Sequence, residues 1–133
     1  MRIVTISALI LALGTASVAR PASLWDVPEV DRGLFQIGVA HGVRKNCNTI
    51  EAHKLRGASF AWKLVGHARD AGYSMSETRA FIEDKDEKAV LRARVVKYLQ
   101  SKGLDTETPN ALCQFGEAEI AKKSQVGVLL RMN

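Results

Sequence analysis

The stretch VDRGLFQIGVAHGVRKNCN, residues 30–48, decides the fold. Leu34, Ile37, Gly38 and His41 recur at the i, i+3, i+4, i+7 spacing of one helical face, with Phe35, Val39 and Val43 as a second stripe beside them. Two adjacent stripes predict a helix over 30–45 that is buried on a broad side, with Asp31 as its cap and Asn46 as a left-handed stop. Asn46-Cys47-Asn48 then reads as a tight turn. Whatever follows must fold back onto this helix.

Working toward the C-terminus, residues 48–71 read as the longest helix, opened by a capping box of Asn48 and Glu51 and closed at Gly72. Ile50, Gly57, Ala61, Leu64, Val65 and Ala68 gather on one face. The small residues there predict that another helix approaches closely. Ser74-Met75-Ser76-Glu77 is a second capping box and starts a short helix through Phe81 and Ile82. The charged corner 83–88 leads into a helix capped by Asp86, striped by Leu91, Val95, Tyr98 and Leu99, and ended by Gly103. Thr108-Pro109 is a cap followed by proline at the first helical position. The last helix carries Cys113, Gly116 and Ile120 on one stripe, and the apolar tail 126–130 packs back on the body. No strand signal is visible. The expected fold is all-α: a compact bundle of about five helices with short connections, a single domain over 30–133.

Working toward the N-terminus, residues 20–29 carry Pro21 and Pro28 and read as an extended lead-in, with Leu24 and Trp25 tucked against the core. Before them, Arg2 precedes an apolar run from Ile3 to Val18 that ends in small residues. This is the pattern of a cleavable secretory signal peptide over 1–19, with Ser17 and Ala19 at the −3 and −1 positions. An uncut membrane anchor is the competing reading. It needs about 20 strongly apolar residues, and Thr5, Ser7, Gly14, Thr15 and Ser17 dilute this run. No second stretch could span a membrane, so the expected mature protein is soluble and periplasmic.

The chain has 133 residues, with 19 Lys and Arg against 14 Asp and Glu. Removing the leader takes away Arg2 and leaves 114 residues carrying 18 cations against 14 acids, a charge of +4. This mild excess is compatible with a weak contact to an anionic membrane surface, and a solvated surface explains it equally well. Export makes nucleic acid an improbable partner. It also changes the reading of Cys47 and Cys113. In an oxidising compartment an even count points to a disulfide. That bond would tie the turn after the first helix to the last helix, closing a loop worth about 4 kcal/mol in the chain-entropy model. Free thiols or a metal site are the alternatives, and C-x-x-C is absent.

Chemistry-bearing motifs are sparse. His53 and His67 lie ~21 Å apart along one helix and cannot share a metal. Cys47 and His53 alone fall short of the three or four ligands of a zinc site. Glu117 and Glu119 face different ways, and Asp84, Asp86 and Glu87 lie in a charged turn. No nucleophile elbow, phosphate loop or dinucleotide fingerprint is present. The expectation is therefore no catalytic residue, no cofactor and no metal. Trp62 lies on the flank of its helix. Packing of Trp62 and Leu55 against a neighbouring helix or the lead-in is the expected arrangement. An exposed Trp62 would instead be an interaction anchor, with Arg44 and Lys45 as further candidate contacts.

Several features together carry a resemblance: Asp31-x-Gly33-Leu34, Arg44-Lys45-Asn46-Cys47, Gly72-Tyr73-Ser74, Arg92-x-Arg94 with Tyr98-Leu99, Cys113-x-x-Gly116 and Ala118-Glu119-Ile120-Ala121. In this order, after a leader, they resemble a family of small exported alphaproteobacterial proteins known only as a domain of unknown function. The resemblance implies an exported, two-cysteine, helical protein and brings no activity, cofactor or catalytic residue. Some members of that family are encoded near respiratory NADH dehydrogenase genes, which is an association and not a mechanism. The leading functional reading is a non-enzymatic periplasmic interaction or accessory protein that binds another protein. The alternatives are an accessory or assembly factor of a membrane respiratory complex and, less favoured, an enzyme with a dispersed active site.

Overall fold

The computed structural model describes residues 19–105 and 107–133; the expected signal peptide over 1–19 falls almost entirely outside them. A 3-10 turn at Leu24–Asp26 precedes α1 (Pro28–Asn46). Then follow β1 (Ile50–Ala52), α2 (Lys54–Asp70), α3 (Met75–Glu83), α4 (Lys85–Ser101), α5 (Pro109–Lys122), α6 (Gln125–Val128) and β2 (Leu130–Met132). The five expected helices are α1 to α5. The additions are the single turn of α6 and a two-stranded antiparallel sheet pairing Ile50 with Met132, Glu51 with Arg131 and Ala52 with Leu130.

α1 is the axis of the molecule, and three neighbours lie against it. Gly33 lets α2 approach: a Cβ there would sit 2.3 Å from Leu64 Cδ2. Gly38 lets α4 approach, because a Cβ would sit 2.8 Å from Val95 Cγ2. α5 presents Gly116, whose added Cβ would meet Val43 and Ile50, both at 2.6 Å. Three buried clusters follow the axis. Leu24, Val27, Val30, Ala68 and Tyr73 fill its N-terminal end. Val39, Val95, Leu99, Leu104 and Leu112 fill the middle. Ala40, Val43, Cys47, Ile50, Leu129 and Leu130 fill the far end.

The disulfide joins Cys47, just past α1, to Cys113 on α5, with Cα atoms 5.3 Å apart and 66 positions between them in sequence. It closes the seam between the N-terminal hairpin and the last long helix. That seam is where the chain-entropy argument makes a cross-link most effective, because the loop it closes is long.

Several local expectations are corrected. α1 starts at Pro28, two residues early, because proline at N1 loses no hydrogen bond that a helix start needs. Asp31 therefore lies inside the first turn, where it pairs with Arg94 through two bonds of 2.6 and 3.2 Å. Asn46 remains helical and its Nδ2 donates to the Gly42 carbonyl at 2.8 Å, while Cys47 is extended. Residues 50–52 are strand, not helix, because they pair with the C-terminal tail; α2 begins only at Lys54. Glu51 accordingly pairs with Arg131 and caps nothing. α4 is capped by Asp84, whose carboxylate accepts from the Asp86 and Glu87 amides at 2.8 and 3.0 Å. The lead-in is ordered by its own capping box, Ser23 with Asp26.

Candidate functional site

α2 carries the two most exposed large apolar side chains among the described residues, Leu55 and Trp62. Only Leu64 and Ala68 are buried along its 17 residues. At 100° per residue, Trp62 lies about 160° around the helix from Leu64, and Leu55 about 180°. Both face solvent: Leu55 is 80 % and Trp62 64 % exposed. The expected packing of these two side chains against a neighbouring helix is overturned. The helix is seated by Phe60, Leu64 and Ala68, on the side away from Trp62, and among the described residues no element covers Leu55 or Trp62. Exposed cations flank the pair, Lys54, Arg56, Lys63 and Arg69, and the only acid in the helix is Asp70 at its end. The outer surface of α2 is a basic ridge tipped with leucine and tryptophan.

Beneath the ridge, α1 and α2 splay apart. They run antiparallel and touch tightly at Gly33 and Leu64. Toward the other end they separate, and a Cβ on Gly57 would meet no atom within 4 Å. The small residues of α2 were expected to admit a close helix; here they line a gap. The gap is a groove of two adjoining cavities that share Ile37 and Ala61. The inner cavity, about 180 Å³, is walled by Val30, Leu34, Leu64 and Ile82. The outer cavity, about 300 Å³, has an apolar floor of Ala40 and Leu130 and a rim of His41 and Arg44. Val30, Leu34, Ile37, His41 and Arg44 form one stripe of α1 at 4-3-4-3 spacing, so the groove grades along a single helix face from apolar to cationic.

The rim has a defined hydrogen-bond logic. Arg44 Nη2 lies 3.3 Å from His41 Nδ1. A guanidinium only donates, so Nδ1 accepts and the ring carries its proton on Nε2. Partial desolvation, followed by the charges of Arg44, Lys45 and Arg92, holds the His41 imidazole below its ordinary value of 6.5. His41 is thus a neutral donor set among cations. Its ring partner is an arginine and not a carboxylate, which suits the rim to receiving an anionic group and not to acid–base catalysis.

The remaining residues singled out in the sequence are dispersed. Lys45 is exposed and lines neither cavity, and Trp62 points away from Arg44, so the three expected contact residues do not form one patch. His53 caps the start of α2, its amide donating to the Leu129 carbonyl at 2.8 Å, and His67 is exposed. Among the described residues no three His, Cys, Asp or Glu side chains converge as metal ligands, and no helix is long and apolar enough to cross a membrane.

Most of the motifs behind the resemblance have structural roles. Asp31 holds Arg94, whose guanidinium also lies over Trp25 and Phe35, 5.2 and 5.6 Å from their ring centres. Gly33 and Gly116 are close-approach points. Tyr73 Oη donates to the Pro21 carbonyl at 2.6 Å, and Ser74 caps α3. Arg44, Lys45 and Arg92 are left over, and they are the cations that surround His41. The sequence reading missed the groove itself. Its available signal was the 4-3-4-3 stripe ending in His41 and Arg44.

No curated protein and no solved structure matches the chain. A family model described as a family of unknown function, DUF5333, matches residues 22–131, the whole helical body with its lead-in. The chain belongs to that family.

Proposed function

We propose that this protein is exported to the periplasm through a cleavable signal peptide over 1–19 and acts there as a non-enzymatic binding module, with the outer face of α2 as its contact surface. The observation that carries the reading is the exposure of Leu55 and Trp62 on the side of α2 opposite its buried residues. A solvent-facing tryptophan beside a leucine is costly to leave in water and is a favoured anchor at protein interfaces. The disulfide supports export, since such bonds persist in oxidising compartments. Two measurements test the reading. Intact mass of the protein from its own cells should give a chain starting at Arg20 and lacking the two thiol hydrogens. A photo-crosslinker placed at position 62 should give a discrete adduct in cells, and one placed at exposed Glu117 should not. Identical adducts from both positions, or none from position 62, would remove the ridge as the contact surface.

A second reading draws on the cations that flank the ridge. Four Lys and Arg against a single Asp on α2 suit an anionic bilayer surface, which fits an accessory factor of a membrane respiratory complex working at its periplasmic face. Deleting the gene should then alter assembly of that complex on native gels, and an unchanged pattern would exclude this role.

A further inference from the structure

We propose that the groove between α1 and α2 is a binding site for a single-chain anionic amphiphile, its acyl chain lying on Leu34, Ile37 and Ala61 and its anionic head at Arg44 and His41. The inference does not depend on what the α2 ridge contacts. It stands on three features of the groove.

The first is shape. Two cavities of about 180 and 300 Å³ join at Ile37 and Ala61, wedge-shaped because the helices touch at Gly33 and part at Gly57. Their combined scale is that of a small-molecule site. From Gly33 to Arg44 is about 16 Å along the α1 axis, room for an extended medium-length chain.

The second is the distribution of polarity. The closed end is lined by aliphatic side chains, with Thr78 as the single polar residue. The Thr78 hydroxyl already donates to the Ser74 carbonyl at 2.9 Å, so it asks nothing of a ligand. The open end carries the Arg44 cation beside the His41 imidazole, and among the described residues no acid lines it. An apolar floor ending in positive charge is complementary to an apolar chain ending in negative charge, and to neither a neutral lipid nor a polar anion alone.

The third is the state of the rim. Arg44 makes no ion pair with a carboxylate among the described residues; its neighbour is His41 Nδ1. The tautomer this contact requires leaves His41 Nε2–H available as a second donor beside the guanidinium. Guanidinium and imidazole together offer a forked set for a carboxylate or a phosphate. Partial burial first, and then the charges of Arg44, Lys45 and Arg92, hold the His41 imidazole below its ordinary value, and an arriving anion would offset those charges.

The test uses the purified, oxidised protein and three probes below their aggregation limits: decanoate, decyl phosphate and 1-decanol. Chemical-shift mapping should place decanoate at Ile37, Gly57 and Ala61. Decanol should bind at least tenfold more weakly. Arg44→Gln should weaken decanoate about tenfold, the size of a charge-assisted hydrogen bond, and leave decanol within about twofold. Gly57→Leu fills the groove at a position where a Cβ meets nothing, and it should abolish binding of all three probes. If that variant does not fold, the Arg44→Gln comparison decides. The ratio of decanoate to decyl phosphate affinity tells which head group the rim prefers. The proposal is overturned if decanoate binding survives Gly57→Leu, or if Arg44→Gln leaves it unchanged. It is equally overturned if neither decanoate nor decyl phosphate shifts the resonances of Ile37, Gly57 and Ala61.

Discussion

The two seams along α1 use the same residue type in opposite ways. On the α5 side, Gly116 is buried and its missing side chain is occupied by Val43 and Ile50. The disulfide locks the same seam. On the α2 side, Gly57 also lacks a side chain, and no atom of the described residues lies within 4 Å of where one would begin. One glycine exists so that helices can meet; the other leaves a groove where they do not. A mid-helix glycine costs about 0.5–1 kcal/mol relative to alanine. At Gly116 packing offsets that cost, and at Gly57 no packing does. The bundle is thus closed and cross-linked beside Gly116, whereas α2 meets α1 at Gly33, sets Phe60 against the far-end cluster and leaves Gly57 open between them.

The largest test of the contrast is removal of the staple. Replacing Cys47 and Cys113 together by alanine should cost about 2–5 kcal/mol in denaturant unfolding. The loss should fall on the α1–α5 seam, so hydrogen exchange should rise first in α5 and in the strand pair. Arg94→Met is next. It removes the pair with Asp31 and the stacking on Trp25 and Phe35, and should cost about 1 kcal/mol. Unfolding should show this cost at low and at high salt alike if packing dominates.

A smaller effect follows from Glu77. Its carboxylate accepts from the Ser74 amide and from Arg20 Nη1, at 2.8 and 2.9 Å, and these bonds lower it from 4.5 to about 2. A carboxyl depressed in the folded state contributes stability above its unfolded value and loses it as pH falls. Stability should therefore decline between pH 4.5 and about 2, and Glu77→Gln should flatten that part of the profile. The smallest effect is at His41. Its titration by NMR should lie below 6.5, and Arg44→Gln should move it upward.

Readable features fall in both halves, and what stayed hidden is what distant segments create together. The period of residues 34–43, the stops at Gly72 and Gly103, the capping box at Ser74 and the Cys47–Cys113 pair were all readable, because each rests on local chemistry or on a single possible pairing. The strand at Ile50–Ala52 was not. Three residues are too few to show alternation, and their partner lies at the far end of the chain. Losing that strand also misplaced the start of α2. The groove was hidden for a different reason. Small residues on a helix face signal close approach and empty space equally, and only the neighbour's position distinguishes them. Trp62 was assigned to packing because large apolar side chains are usually inside, and the ridge is the exception.

The central claim is that α1 and α2 part beside Gly57 while α1 and α5 close on Gly116. Thermal unfolding of Gly57→Leu and Gly116→Leu, side by side, measures it most directly. Gly57→Leu should unfold at or above the temperature of the unaltered protein, since the new side chain enters open space and the helix gains from losing a glycine. Gly116→Leu should lose about 1–3 kcal/mol or more to overpacking against Val43 and Ile50. Equal destabilisation of the two variants would contradict the account, because it would mean that α2 closes on α1 as tightly as α5 does.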